Sequence, residues 1–187
     1  QWFLIHIAGL GIIGTSILVW TWHFADALTR RKESQAHQLI RLILLMLGTI
    51  FLAVAIGISG TTGVICIGAG SLAIIASVSW HCIALNRATH GSFVSPGAVT
   101  LRYHLAGGVF LVLGSLFAII MALDVTFERA AKLWPALYRL HDGMSVAHVF
   151  FMVLGFTGLT VLGTLATFGA TVARTRLAPG AIRTAMR

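Results

Sequence analysis

Eight histidines stand in a chain of 187 residues that has only five acidic side chains. Imidazole is the commonest side-chain ligand for transition metals and a regular axial ligand of haem iron. Whether histidines can share a metal depends on their depth and direction in the fold, and depth is readable here. His6 and His23 bracket an apolar stretch and lie seventeen residues apart. On one helix that is ~25 Å of rise, close to a bilayer's hydrocarbon core, and it sets the two side chains about a quarter-turn apart. They cannot serve one site. They can serve two sites stacked across a membrane, each completed from another segment. His148 matches the depth of His6, and His81 and His104 match that of His23. His37 and His90 fall in loops, and His141 lies just before the last apolar block.

These depths require apolar blocks that span. The chain is 58% hydrophobic and 10% charged, against ~25% charged in soluble proteins, so it cannot clothe a water-facing surface. The blocks 3–25, 39–60, 63–85, 103–123 and 147–172 each approach or exceed the ~20 residues a spanning helix needs. None alternates with the period of a barrel strand, which leaves helix as the structure that satisfies a backbone in lipid. The expected fold is all-α: a five-helix transmembrane domain over 1–173, followed by a basic tail, 174–187. Gly60-Thr61-Thr62-Gly63 is expected to form the turn between the second and third spans. The stretch "FERAAKLWPALYRLHDG" is expected to form a short interfacial helix that Pro135 starts or interrupts, with Trp134 and Tyr138 at headgroup depth. The first span lacks a basic leader region and is too long for a signal core, so it reads as a span.

Basic residues orient the bundle. Arg30, Arg31, Lys32, Arg41, Arg87, Arg102, Arg174, Arg176, Arg183 and Arg187 fall on one side, and Arg129, Lys132 and Arg139 on the other. The richer side is expected in the cytoplasm, with the N-terminus outside. The net charge of +8 is then a topology signal at span ends. A nucleic-acid surface is not expected, though the tail can meet anionic lipid.

Two imidazoles at one depth on facing helices make a bis-imidazole site for haem b. Two such layers, one of His6 and His148 and one of His23, His81 and His104, make an electron route across the bilayer. Copper is the alternative metal, with His141 as a third ligand, since it lies one heptad before His148 and on the same face if helical. Histidines at span ends also reach interfacial water and need no ligand for that. Asp26 is either a proton acceptor for a quinol or an interfacial partner of Arg30. Met152, one turn below His148, packs in the core or on an outer haem. Cys66 and Cys82 lie ~24 Å apart on one helix and cannot pair. No CxxCH is present, so covalent haem is not indicated. No span holds a carboxylate, which disfavours a proton-coupled carrier. The many glycines in spans allow close helix approach or leave room for a flat cofactor.

The stretches "HIAGLGIIGTSILVWTWHFADAL", "SVSWHCIALNR", "VTLRYHLAGG" and "AHVFFMVLGFTGLTVLGTLATFGATVARTRLAPGA" resemble the membrane half of actinobacterial membrane-anchored multicopper oxidase and copper nitrite reductase proteins. That half is itself similar to the NnrS family of haem- and copper-containing membrane proteins. By this resemblance His6, His23, His81 and His148 fall on histidines of the family pattern, and His104 falls where an aromatic is expected. The resemblance therefore pairs His23 with His81 and keeps His104 in reserve, which requires the first and third spans to be neighbours. The family's last span often reads His-x-His-x-Asn, whereas here it is His148-Val149-Phe150-Phe151-Met152. Family chains continue into further helices and cupredoxin domains, so this chain is expected to be a free-standing half or a portion of something larger.

The expected function is that of a multi-pass haem b protein in a bacterial plasma membrane. It would carry electrons from quinol towards a copper oxidase or nitrite reductase-like partner outside. The alternative is a non-redox anchor or assembly subunit of a metalloenzyme, or a copper-binding membrane protein.

Overall fold

Among the described residues five helices are long and apolar enough to cross a bilayer, and every secondary-structure element is helical. The structure, a computed structural model, describes residues 1–29, 32–55, 57–58, 60–89, 97–126 and 135–174. Helix α1 runs Trp2–Thr29 and includes a π-helical segment, Ile7–Gly14. Helices α2, α3 and α4 run Gln35–Ala55, Gly60–Thr89 and Gly97–Thr126. Helix α5 covers 135–172, with a second π segment at Phe151–Gly158.

Two expected boundaries move. The turn between α2 and α3 lies between Ala55 and Gly60, and Thr61, Thr62 and Gly63 are already helical. Gly60 adopts φ +76°, a conformation a Cβ disfavours, so the glycine sets where α3 starts. The separate interfacial helix is replaced, from Pro135 onward, by the start of α5. Proline suits a first helical turn because its missing N–H has no partner there. His141 thus lies on the helix that carries His148. Residues 127–134, with Arg129, Lys132 and Trp134, lie outside the described residues, as do Arg30, Arg31, His90 and the tail from 175.

Helices α2 to α5 pack in chain order, each on the next. Small residues set their approach. A Cβ on Gly48 would sit 2.7 Å from the Gly70 carbonyl oxygen, and one on Gly155 would sit 2.6 Å from Phe110. At these positions the glycines serve close packing of helices and not a cofactor cradle. Helix α1 lies across this layer. Its first half packs on α2 and its second half on α3 and α4, so the first and third spans are indeed neighbours. One apolar cluster, including Leu10, Leu45, Ile74, Leu111 and Phe156, fills the middle of the bundle. A smaller one, Ala25, Leu85 and Leu101, lies towards the end where the basic loops gather. This is called the basic end below, and the opposite one the far end.

Candidate haem or metal site

At the far end the structure brings His6 and His148 together. Their ring centroids are 6.4 Å apart and their planes differ by 25°. The Nδ1 of His6 lies 2.8 Å from the carbonyl of Trp2, one turn back on α1. The Nδ1 of His148 lies 2.8 Å from the carbonyl of Gly114 on α4. A carbonyl only accepts, so each Nδ1 carries the proton and donates it. Each Nε2 is then left with its lone pair, which is the tautomer a metal needs and the outer anchoring that metal-bound histidines show. A metal about 2 Å from two such nitrogens, each about 1 Å from its ring centre, puts the centroids about 6 Å apart. The observed centroid separation is close to that figure, with the two rings stacked.

The helix irregularities also cluster here. The π segment of α1 begins at Ile7, directly after His6, and that of α5 begins at Phe151, three residues after His148. A π turn takes an extra residue and so shifts the direction of everything beyond it, and such turns concentrate at functional sites. Helices α1 and α5 are not packed along their length. They meet through side chains, His6 on His148 and Phe156 against the Gly14 position. Met152 packs on Gly114 and the central core, in keeping with the core role considered for it.

At the basic end the pairing differs from expectation. His23 is exposed, and its ring contacts are Trp20 and Phe24 of its own helix. His81 packs instead against Trp22, with ring centroids 6.2 Å apart. Neighbouring residues on a helix point about 100° apart, so turning Trp22 onto His81 turns His23 outward. The expected His23–His81 pair is therefore not formed. His104, like His81, faces inward. It is buried, its ring lies 6.3 Å from Phe24, and its Nδ1–H donates to the Thr100 carbonyl at 2.7 Å. His81 is buried too, and its Nε2 has no hydrogen-bond partner.

Against Trp22 stands a side chain expected among the loop cations. Arg41 is 2% exposed. Its guanidinium lies 4.9 Å from the Trp22 ring centre and 5.8 Å from that of Trp80. Both of its terminal nitrogens donate to the Glu33 carboxylate. The backbone carbonyl of Arg41 accepts from the Ser77 hydroxyl at 2.7 Å, which ties α2 to α3. Glu33 and Arg41 are eight residues apart across a helix start, a spacing that no helical-face rule flags. An open cleft of about 290 Å³ lies outside this cage, lined by residues that include Trp22, Glu33, His37 and Trp80.

Among the described residues no group of three or more His, Cys, Asp or Glu side chains is placed to hold a metal ion. His37 is exposed and packs on Trp80, 5.6 Å between ring centres. Asp26 has one carboxylate oxygen buried without a partner, and its expected partner Arg30 lies outside the described residues. Cys66 and Cys82 are free thiols.

Comparisons with protein-family models, with curated proteins and with solved structures find no match to this chain.

Proposed function

We propose that the protein is a membrane haem b protein that carries electrons, with the outer haem held between His6 and His148. The observation that carries this reading is the pair itself. Two imidazoles from separate helices stand with ring centres 6.4 Å apart, each with its Nδ1–H committed to a carbonyl, which leaves each Nε2 its lone pair. Copper and zinc sites usually take three or four protein ligands. Haem supplies its own equatorial nitrogens and asks the protein only for the axial ones. A two-histidine set with no third ligand among the described residues fits haem better than a bare ion.

Bound haem would supply reversible one-electron chemistry at its iron. The chain's residues do the rest. The Trp2 and Gly114 carbonyls hold the two imidazoles in one tautomer and orientation. Helix α4, packed on α5, fixes the position of His148. The family resemblance supports quinol as electron donor and a copper oxidase or nitrite reductase-like partner as acceptor. The distribution of basic residues supports a plasma-membrane protein with its far end outside, and this survives the reassignment of Arg41, because the other basic residues of that side remain the majority.

The test is iron and copper analysis of the purified chain with its reduced-minus-oxidised spectrum. Iron with a b-type α band that is lost in His6→Ala and His148→Ala is the expected result. Copper without iron, or no metal, would replace this reading with that of a copper-binding or anchoring subunit.

A further inference from the structure

We propose that the open cleft at the basic end binds the headgroup of an anionic phospholipid, with Lys32 and Arg87 taking its phosphate. The site lies at the other end of the bundle from His6 and His148 and does not depend on the haem reading.

The cleft, of about 290 Å³, has two walls of different origin. Trp80, Ile83, Ala84, Arg87 and Ala88 form one of them. Their spacing is that of a single stripe along a helix, here α3. Four of the five are apolar, and Arg87 stands in the last turn. Ala84 and Ala88 are small and leave room beside Trp80 and Ile83. The facing wall is the α1–α2 connection, with Lys32 and Glu33, and His37 of the first turn of α2. The His37 ring lies on Trp80, so the two walls meet.

Charge selects an anion. Glu33 is the one acid among the described lining residues. Both of its carboxylate oxygens accept from the buried Arg41 guanidinium, and that pair is neutral together. Lys32 and Arg87, both exposed, then set the sign of the cleft. Basic pockets of this kind at the end of a spanning bundle suit phosphate headgroups.

The apolar stripe selects a lipid over a free anion. Ile65, Leu72, Ala76, Ile83 and Arg87 are all exposed on α3. At about 100° per residue they fall within about 60° of one another, on one side of the helix. A headgroup held at Arg87 thus has an apolar track beneath it. From Ile83 back to Leu72 is about 16 Å of rise, close to the half of a ~30 Å hydrocarbon core that one acyl chain crosses. Inorganic phosphate would gain nothing from this track.

The experiment is native mass spectrometry of the full purified chain from micelles holding equal amounts of phosphatidylglycerol and phosphatidylcholine. Wild type should retain one phosphatidylglycerol in preference. Each Lys or Arg near an anionic headgroup is worth about fivefold in affinity, so Lys32→Gln/Arg87→Gln should bind it about 30-fold more weakly. Ala88→Leu takes up cleft volume without touching the charges and should also weaken it. Arg183→Gln/Arg187→Gln removes as much charge from the tail and should bind as wild type does. If the double cleft variant does not fold, Lys32→Gln alone decides, with a loss of about fivefold expected. Equal retention of the two lipids by wild type overturns the proposal. So does undiminished binding in any of the cleft variants, or an equal loss in the tail variant. Displacement of the lipid by inorganic phosphate would make this a site for a free anion and overturn it as well.

Discussion

His148 donates its Nδ1–H across a helix interface to the carbonyl of Gly114, 2.8 Å away. A Cβ built on that same glycine would stand 2.5 Å from the end of Met152 and 3.4 Å from the Cβ of Phe151. The residue that anchors the histidine thus also admits α5 to close range. One position controls both the spacing of the two helices and the tautomer of the ligand.

Gly114→Leu should therefore act on the outer site in particular. The added side chain forces α5 outward, stretches the His148 hydrogen bond and misaligns its Nε2. The haem signal of the His6–His148 site should be lost or broadened. EPR of the purified variant checks this, and an unaltered outer signal would count against the anchoring role.

The π segment Ile7–Gly14 makes a second prediction. Deleting Ile13, an exposed residue within it, lets the segment close as ordinary α-helix. The extra residue that the π turn accommodates is then gone, so the flanks keep their relative direction. His6 should stay against His148 and haem occupancy should hold. Deleting Val19, an exposed residue of the regular α-helical part of α1, instead rotates the residues before it by about 100° relative to those after it. His6 should then swing away from His148 while Trp22 stays on His81, and haem stoichiometry separates the two deletions.

Arg41 and Glu33 form a pair whose members should not be equivalent on mutation. Glu33→Gln strands a buried guanidinium and should cost about 3 kcal/mol, as removal of one partner of a buried pair does. Arg41→Met in the Glu33→Gln background removes the stranded charge and keeps apolar volume between Trp22 and Trp80. Most of the loss should return. Unfolding in detergent micelles measures the series. A Glu33→Gln variant as stable as wild type would show the pair to be solvated.

Close packing of α4 and α5 gives a prediction independent of any cofactor. A Cβ at Gly155 would lie 2.6 Å from both Cβ and Cγ of Phe110. Gly155→Leu should destabilise the fold by about 1–3 kcal/mol through overpacking. Gly9 has no heavy atom within 4 Å of the Cβ position, so Gly9→Ala should be neutral or slightly stabilising. Thermal unfolding of the two variants should separate them.

Much of this architecture is legible from residue types. Hydropathy over ~20-residue blocks marks the five spans, because lipid tolerates little besides closed backbone hydrogen bonding and apolar surface. Span ends are less legible. The start of α3 depends on the positive φ of Gly60, and Gly63, the other glycine of the expected turn, sits inside the helix. Arg41 is illegible as a buried residue, since its burial depends on two tryptophans from other helices and a carboxylate from the preceding loop.

The sequence by itself determined spacing along each helix: a constant rise per residue puts His6 and His23 at opposite ends of α1. Only the tertiary structure decided direction. Whether Trp22 or His23 meets His81 is a rotation of about 100° on one helix, and no local preference sets it. It follows from how α1 lies across α3 and α4, with Ala25 buried at the contact and Trp22 drawn onto the Arg41 guanidinium. The π segments, which no residue pattern announces, decide the rest by turning the residues beside His6 and His148 out of ordinary α-helical register.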